Sequence, residues 1–212
     1  MKTISAEDHS RIEDAIRKAE AGTSGEIVVT VAEASAHYHH ATLQGALAVM
    51  AAATAVFLLS PAANAVTGLL WTEFLSFAVS YSILPHLPWR RWMISRHEMD
   101  ARVHEAAFMQ FYHSGLYQTR QSNGVEIYVS FFERRVVVLG DRGIHDKMGE
   151  GHWHNVRDLI IRGMRRKDAC GGICAAVESC GRALAEHFPP SPGDGNELPD
   201  EVIDRPLPPD AP

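Results

Sequence analysis

Three histidines, three acids and a tryptophan crowd the stretch DRGIHDKMGEGHWHN, residues 141 to 155. Imidazole and carboxylate at that density point first to zinc, with His145, Asp146, Glu150, His152 and His154 as the pool of ligands. The spacing argues against it. If His152 and His154 open a helix they project about 200° apart, whereas residues four apart share a face. Trp153 takes the core-facing place between them and leaves both histidines on the solvent side. A second group, HYHH at 37 to 40, immediately precedes an apolar run. It reads as a polar connector at a headgroup layer, where imidazoles gain charge at mildly acid pH.

Oxygen donors make a different constellation. Glu26 opens the apolar pattern GEIVVTVAEA, Asn123 precedes NGVEIYVSFF, and Asp141 closes RVVVLGD. With the first two strands parallel and the third returning through a hairpin at Glu133 and Arg134, the end of the third meets the beginnings of the others. Glu26, Asn123 and Asp141 then converge at one sheet edge as a donor set suited to Ca2+ or Mg2+. Ordinary turn chemistry competes for the same residues, with Asn123 tolerating a left-handed turn and Asp141 capping a loop. The phosphate-loop, nucleophile-elbow and HExxH patterns are absent. Cys170, Cys174 and Cys180 lie on one predicted helix without zinc spacing, which points to packing or free thiols in a reducing cytosol.

The elements that position these residues follow from periodicity. ISAEDHSRIEDAIRKAEAG predicts an amphipathic helix capped by Ser5, with Ile12, Ala15, Ile16 and Ala19 on one face and Gly22 at its end. Residues 26 to 33 are apolar on both alternations, the mark of a strand buried between layers. Residues 97 to 118 predict a crossover helix with Ala101, His104, Phe108, Phe111 and Gly115 on its stripe. Two closing helices carry Trp153, Val156, Ile160, Met164 and then Ile173, Val177, Cys180, Leu184 at helical spacing.

Between the first strand and the crossover helix lie TLQGALAVMAAATAVFLLS, without a charge, and VTGLLWTEFLSFAVSYSILPHLP, with Glu73 and His86. Each approaches the roughly 20 residues that cross about 30 Å of hydrocarbon. Two such runs joined by PAANA predict a transmembrane hairpin over residues 41–88. Arg90, Arg91, Arg96 and Arg102 follow the second run while the connector has no basic residue, which sets both termini and the soluble domain in the cytoplasm. Trp89 and Trp92 serve as interfacial anchors and Trp71 marks the far face, while Glu73 is read as near enough to a span end to reach the interface. The hairpin thus divides a soluble domain into residues 1–36 and 97–188. Residues 189–212 hold eight of the eleven prolines and six acids against Arg205, and read as a disordered acidic tail, with LPDEVI a minor docking candidate. No basic cluster reaches nucleic-acid-binding density.

SGEIVVTVA, then NGVEIYVSFFERRVVVLGDRGI and MRRKDACGGICAAVESCGRALAEHF, together resemble the TPM domain family, in its bacterial membrane-anchored branch. The resemblance covers residues 4 to 34 and 101 to 188, and its matching motif positions are Asn123, Gly124 and Gly143. It implies an α/β sandwich with a small mixed sheet flanked by helices, here interrupted by the hairpin. For function it implies assembly or quality control of membrane complexes, with calcium binding and weak acid phosphatase activity reported for some members. Asp141-Arg142 stands where many relatives have a glycine and an aromatic, a departure at the proposed site. The expectation is a multi-pass protein of the bacterial inner membrane that docks other membrane proteins and holds a divalent cation at Glu26, Asn123 and Asp141. A weak metal-dependent phosphatase on the same residues is the alternative.

Overall fold

Ser5 begins the first helix, α1 (Ala6–Glu20): its hydroxyl accepts the Asp8 N–H at 3.1 Å, and the Asp8 carboxylate returns to the Ser5 N–H at 3.3 Å. The structure, a computed structural model, describes residues 4–60, 66–145, 147, 148, 150–190 and 196–206. The connector 61–65, Asp146 and the side chains of Trp89, Arg90, His145 and Glu150 lie outside the described residues. After α1 come β1 (Glu26–Ala32), α2 (His39–Leu58), α3 (Val66–Ile83), α4 (Arg96–His113), β2 (Gly124–Ser130) and β3 (Arg135–Gly140). The short α5 (Arg142–His145), then α6 (Glu150–Arg165), α7 (Ala169–His187) and β4 (Ile203–Arg205) complete the order.

The chain forms two compact units, one from residues up to 36 and from 100 onward, the other from residues 37–99. In the first, four strands among the described residues make one mixed sheet in the order β3-β2-β1-β4. β1 and β2 run parallel with Glu26 opposite Gly124, and β2 and β3 run antiparallel with Val125 opposite Gly140. Ile27, Val29, Val31, Val125, Ile127 and Val129 bury one face against Ile12 and Ile16 of α1, Val156 and Ile160 of α6, and Ile173, Val177 and Leu184 of α7. Val28, Ala32 and Tyr128 line the opposite face against Val103, Ala106, Ala107 and Phe111 of α4. Burial on both faces is why β1 and β2 read as continuous apolar runs.

Three local expectations change. The buried stripe of α4 is Val103, Ala106, Ala107 and Phe111, while Phe108 is 55% exposed. Two alanines let the helix lie close to the sheet, a fit that the larger Phe108 would prevent. The β2–β3 connection is a four-residue turn over 131–134 rather than a two-residue one, with Arg134 at φ +53°. Glu133 is fully buried there because its carboxylate accepts from the Ser35 N–H at 3.0 Å and from the Ser130 hydroxyl. Finally, part of the proline-rich tail is ordered. β4 pairs parallel with β1, Thr30 opposite Ile203, because the edge of β1 offers unpaired backbone groups that no local sequence signal announces.

In the second unit α2 packs on α3, and both are long and apolar enough to cross a membrane. Glu73 lies two helical turns inside α3, deeper than a span end, and Thr54 of α2 donates to its carboxylate at 3.4 Å. His39 and His40 fall in the first turn of α2 rather than in a connector; the His37 and His39 rings stack at 5.3 Å, and His40 meets Glu98 at 3.1 Å.

Candidate functional site

The three predicted donors do share one edge of the sheet. Glu26 pairs with Gly124, and the Asp141 N–H donates to the Gly124 carbonyl at 2.9 Å, so residues 26, 124 and 141 form one row across three strands. Two glycines make the row possible. A side chain on Gly124 would stand 2.5 Å from Leu116, and one on Gly143 would stand 2.7 Å from the Ser122 carbonyl and 2.8 Å from that of Gln121. At Gly143 the close approach is to backbone and only glycine permits it, while at Gly124 the buried Leu116 side chain would have to give way. The left-handed residue of this loop is Ser122, at φ +51°, rather than Asn123. Asn123 is instead buried and pinned: its side-chain amide donates to the Ser24 carbonyl at 2.6 Å, and its N–H donates to Thr119 Oγ1 at 3.2 Å.

Side-chain chemistry divides where backbone geometry converges. Leu116, fully buried, fills the space above Gly124 in the middle of the row. One Asp141 oxygen accepts from the Arg142 N–H at 2.6 Å, and the other is buried without a partner. Glu26 turns to the ordered tail, where one carboxylate oxygen accepts the Glu197 N–H at 3.0 Å and the other is buried without a partner.

Glu26 therefore belongs to a second grouping that periodicity did not reveal. A cleft of about 240 Å³ is lined by Arg17, Glu20, Thr23, Glu26, Asn196 and Asp200, among others. Glu20 accepts from the Ile27 N–H at 2.7 Å. Burial, reinforced by the Glu26 and Asp200 charges, pushes its carboxyl up to about 9. Burial also raises Glu26, against the pull of the Glu197 and Leu198 amides. The chemistry is that of hard, oxygen-rich groups crowded together and short of positive charge. Among the described residues no three histidine, cysteine or acidic side chains stand close enough to hold a metal ion as they are placed. The legible signal was the absence of basic residues in NELPDE; what sequence could not show is that this segment folds back onto β1.

Among the described residues the histidine-rich stretch forms no centre. His154 is exposed, and His152 is half-buried with its ring edge-on to Trp153 at 5.6 Å, so it is not wholly on the solvent side. Burial, then the nearby His187, lowers the His152 pKa. Trp153 packs against the core as its spacing predicts.

No family model matches the chain, and no curated protein matches it. It is similar to the NMR structure of the BA42 protein from the psychrophilic bacterium Bizionia argentinensis, with a TM-score of 0.60 and 24% identity over 96% of this chain and 97% of that one. At that identity the likeness shows the fold: a mixed α/β arrangement around a four-stranded sheet flanked by helices.

Proposed function

We propose that this chain is a membrane-anchored, TPM-like interaction module. Its α2–α3 hairpin sits in the bilayer of a bacterial inner membrane, and its α/β unit docks membrane proteins on the cytoplasmic side. The observation that carries the reading is the exposure of the hairpin. Helices apolar on all sides belong in a core or in lipid; here only 22% of the first apolar span and 6% of the second is buried. Leu59, Val66, Trp71 and Phe74 all stand open. Arg91, Arg96 and Arg102 after the second span support the cytoplasmic orientation.

A divalent cation is the ligand class that would answer the unpartnered Glu26 oxygen in the cleft of Glu20, Glu26 and Asp200, with the three carboxylates drawing closer around it than they stand here. Docking that responds to Ca2+ or Mg2+ follows. A phosphohydrolase on Glu26, Asn123 and Asp141 is less favoured, since Leu116 packs over Gly124 in the middle of the row and the Asn123 amide is tied to the Ser24 carbonyl.

The test is cell fractionation with reporter fusions at each terminus. Extraction by detergent but not by carbonate, with both reporters cytoplasmic, supports the reading. A monodisperse protein obtained without detergent overturns it.

A further inference from the structure

At the other end of β2 lies a cleft of opposite character. It encloses about 260 Å³ between the β2–β3 turn, α4 and α6, and its charged lining is Asp100, His104, Arg134, Arg135 and Arg157. Three guanidiniums face one carboxylate. Asp100 takes the Arg135 Nε–H, which fixes that guanidinium's plane, and the His104 ring nitrogen Nδ1 lies 2.9 Å from the Asp100 carbonyl. Arg157 has its Nε buried without a partner, while its Nη2 makes only a long 3.4 Å contact to Asp158. Arg134 is held at φ +53°, a conformation for which glycine is the default, so the turn keeps a guanidinium at a place where a residue without one is conformationally favoured. Val103, Val136 and Val137 supply a low-dielectric wall that strengthens any charge pairing made against it.

We propose that this cleft binds the phosphate group of a phosphomonoester through Arg134, Arg135 and Arg157. Three cations against Asp100 and, beside Arg157, Asp158 leave an excess of positive charge together with the free Arg157 Nε–H, which suits an anion, and forked N–H donors suit tetrahedral phosphate oxygens. The volume falls below the roughly 300 Å³ at which ordinary small-molecule pockets begin, so it accepts a phosphate with a small part of its ester and not a whole nucleotide. The cleft's proposed role is binding: Asp100 is engaged by Arg135, and the His104 Nδ1 lies against the Asp100 carbonyl. A lipid headgroup and a soluble phosphoester share this chemistry.

Calorimetric titration of the full chain in detergent separates the sources, using inorganic phosphate, dihexanoyl phosphatidic acid, dihexanoyl phosphatidylcholine and acetate. Saturable binding of phosphate or phosphatidic acid, and of neither control, is expected. Tighter binding of phosphatidic acid assigns the site to a lipid headgroup, and tighter binding of inorganic phosphate assigns it to a soluble ligand. Arg157→Gln and Arg134→Gly should each weaken binding about tenfold or more, with Arg134→Gly melting no lower than the native chain. The absence of saturable binding, equal binding of acetate, or native affinity in both variants would overturn the proposal.

Discussion

The two ends of β2 carry opposite electrostatic problems. At its start, Glu20, Glu26 and Asp200 crowd a cleft with too little positive charge, and burial raises both glutamates. At its finish, Arg134, Arg135 and Arg157 line a cleft open to water in which Asp100 is the one lining carboxylate, held by Arg135. Acids can answer crowding by keeping a proton, whereas guanidiniums stay charged at any ordinary pH and must find an anion. One strand thus joins a site whose state depends on protons to a site whose state depends on ions.

Removing the side chain over the start of β2 should have the largest effect. Leu116→Ala deletes a fully buried side chain and opens the space above Gly124, the middle position of the row. Chemical denaturation should register a loss of about 2–5 kcal/mol. Calcium titration of the same variant asks whether the two carboxylates then act together; unchanged calcium response would show that the row has no latent site.

Next comes pH, read at Glu126 in the middle of β2. It is fully buried, neither oxygen completes a hydrogen bond, and burial pushes it up to about 8 against the opposing influence of Thr30, Ser114 and Arg205. An acid raised in the folded state binds its proton more tightly there than in the unfolded chain. Its contribution to stability is therefore intact below the ordinary carboxylate range and is lost as pH climbs toward 8. Glu126→Gln should flatten that decline, with a gain on the order of a few kcal/mol at pH 8 to 9, measurable as a higher melting temperature there and little change at pH 5. A variant as pH-sensitive as the native chain would place the titration elsewhere.

The cleft end itself can be probed through linkage. Calcium should raise the melting temperature of the native chain by a few degrees, and Glu26→Gln should weaken calcium affinity by about tenfold and so reduce that rise. The smallest effect belongs to the other end. Arg134→Gly relieves a left-handed residue and should stabilise the unit by about 1 kcal/mol, while costing the arginine cleft its anion; a loss of stability would mean that the guanidinium holds the turn together.

Local patterns made much of this fold legible. The Ser5 cap, the doubly buried strands and the core stripes of α6 and α7 all follow from residues within a few positions of one another. What escaped was decided at a distance. Phe108 and the alanines of α4 offer two rival stripes, and only the closeness of the sheet chooses between them. β4 has no strand signature because the edge of β1 supplies its partner. For the candidate site, sequence put Glu26, Asn123 and Asp141 on one edge but could not show Leu116 above Gly124, nor that the acidic tail would bring Asp200 to Glu26.

Ser24 and Asn123, hydrogen-bonded in the finished sheet, stand 99 residues apart in the chain, with both apolar spans between them. During synthesis β1 therefore leaves the ribosome long before β2 and longer still before β4, with both faces greasy and both edges bare. Such a strand invites wrong partners while it waits. A protein built this way leaves its first strand unpaired until both apolar helices and α4 have been made, so a chain halted between them would leave behind an aggregating fragment instead of a folded unit.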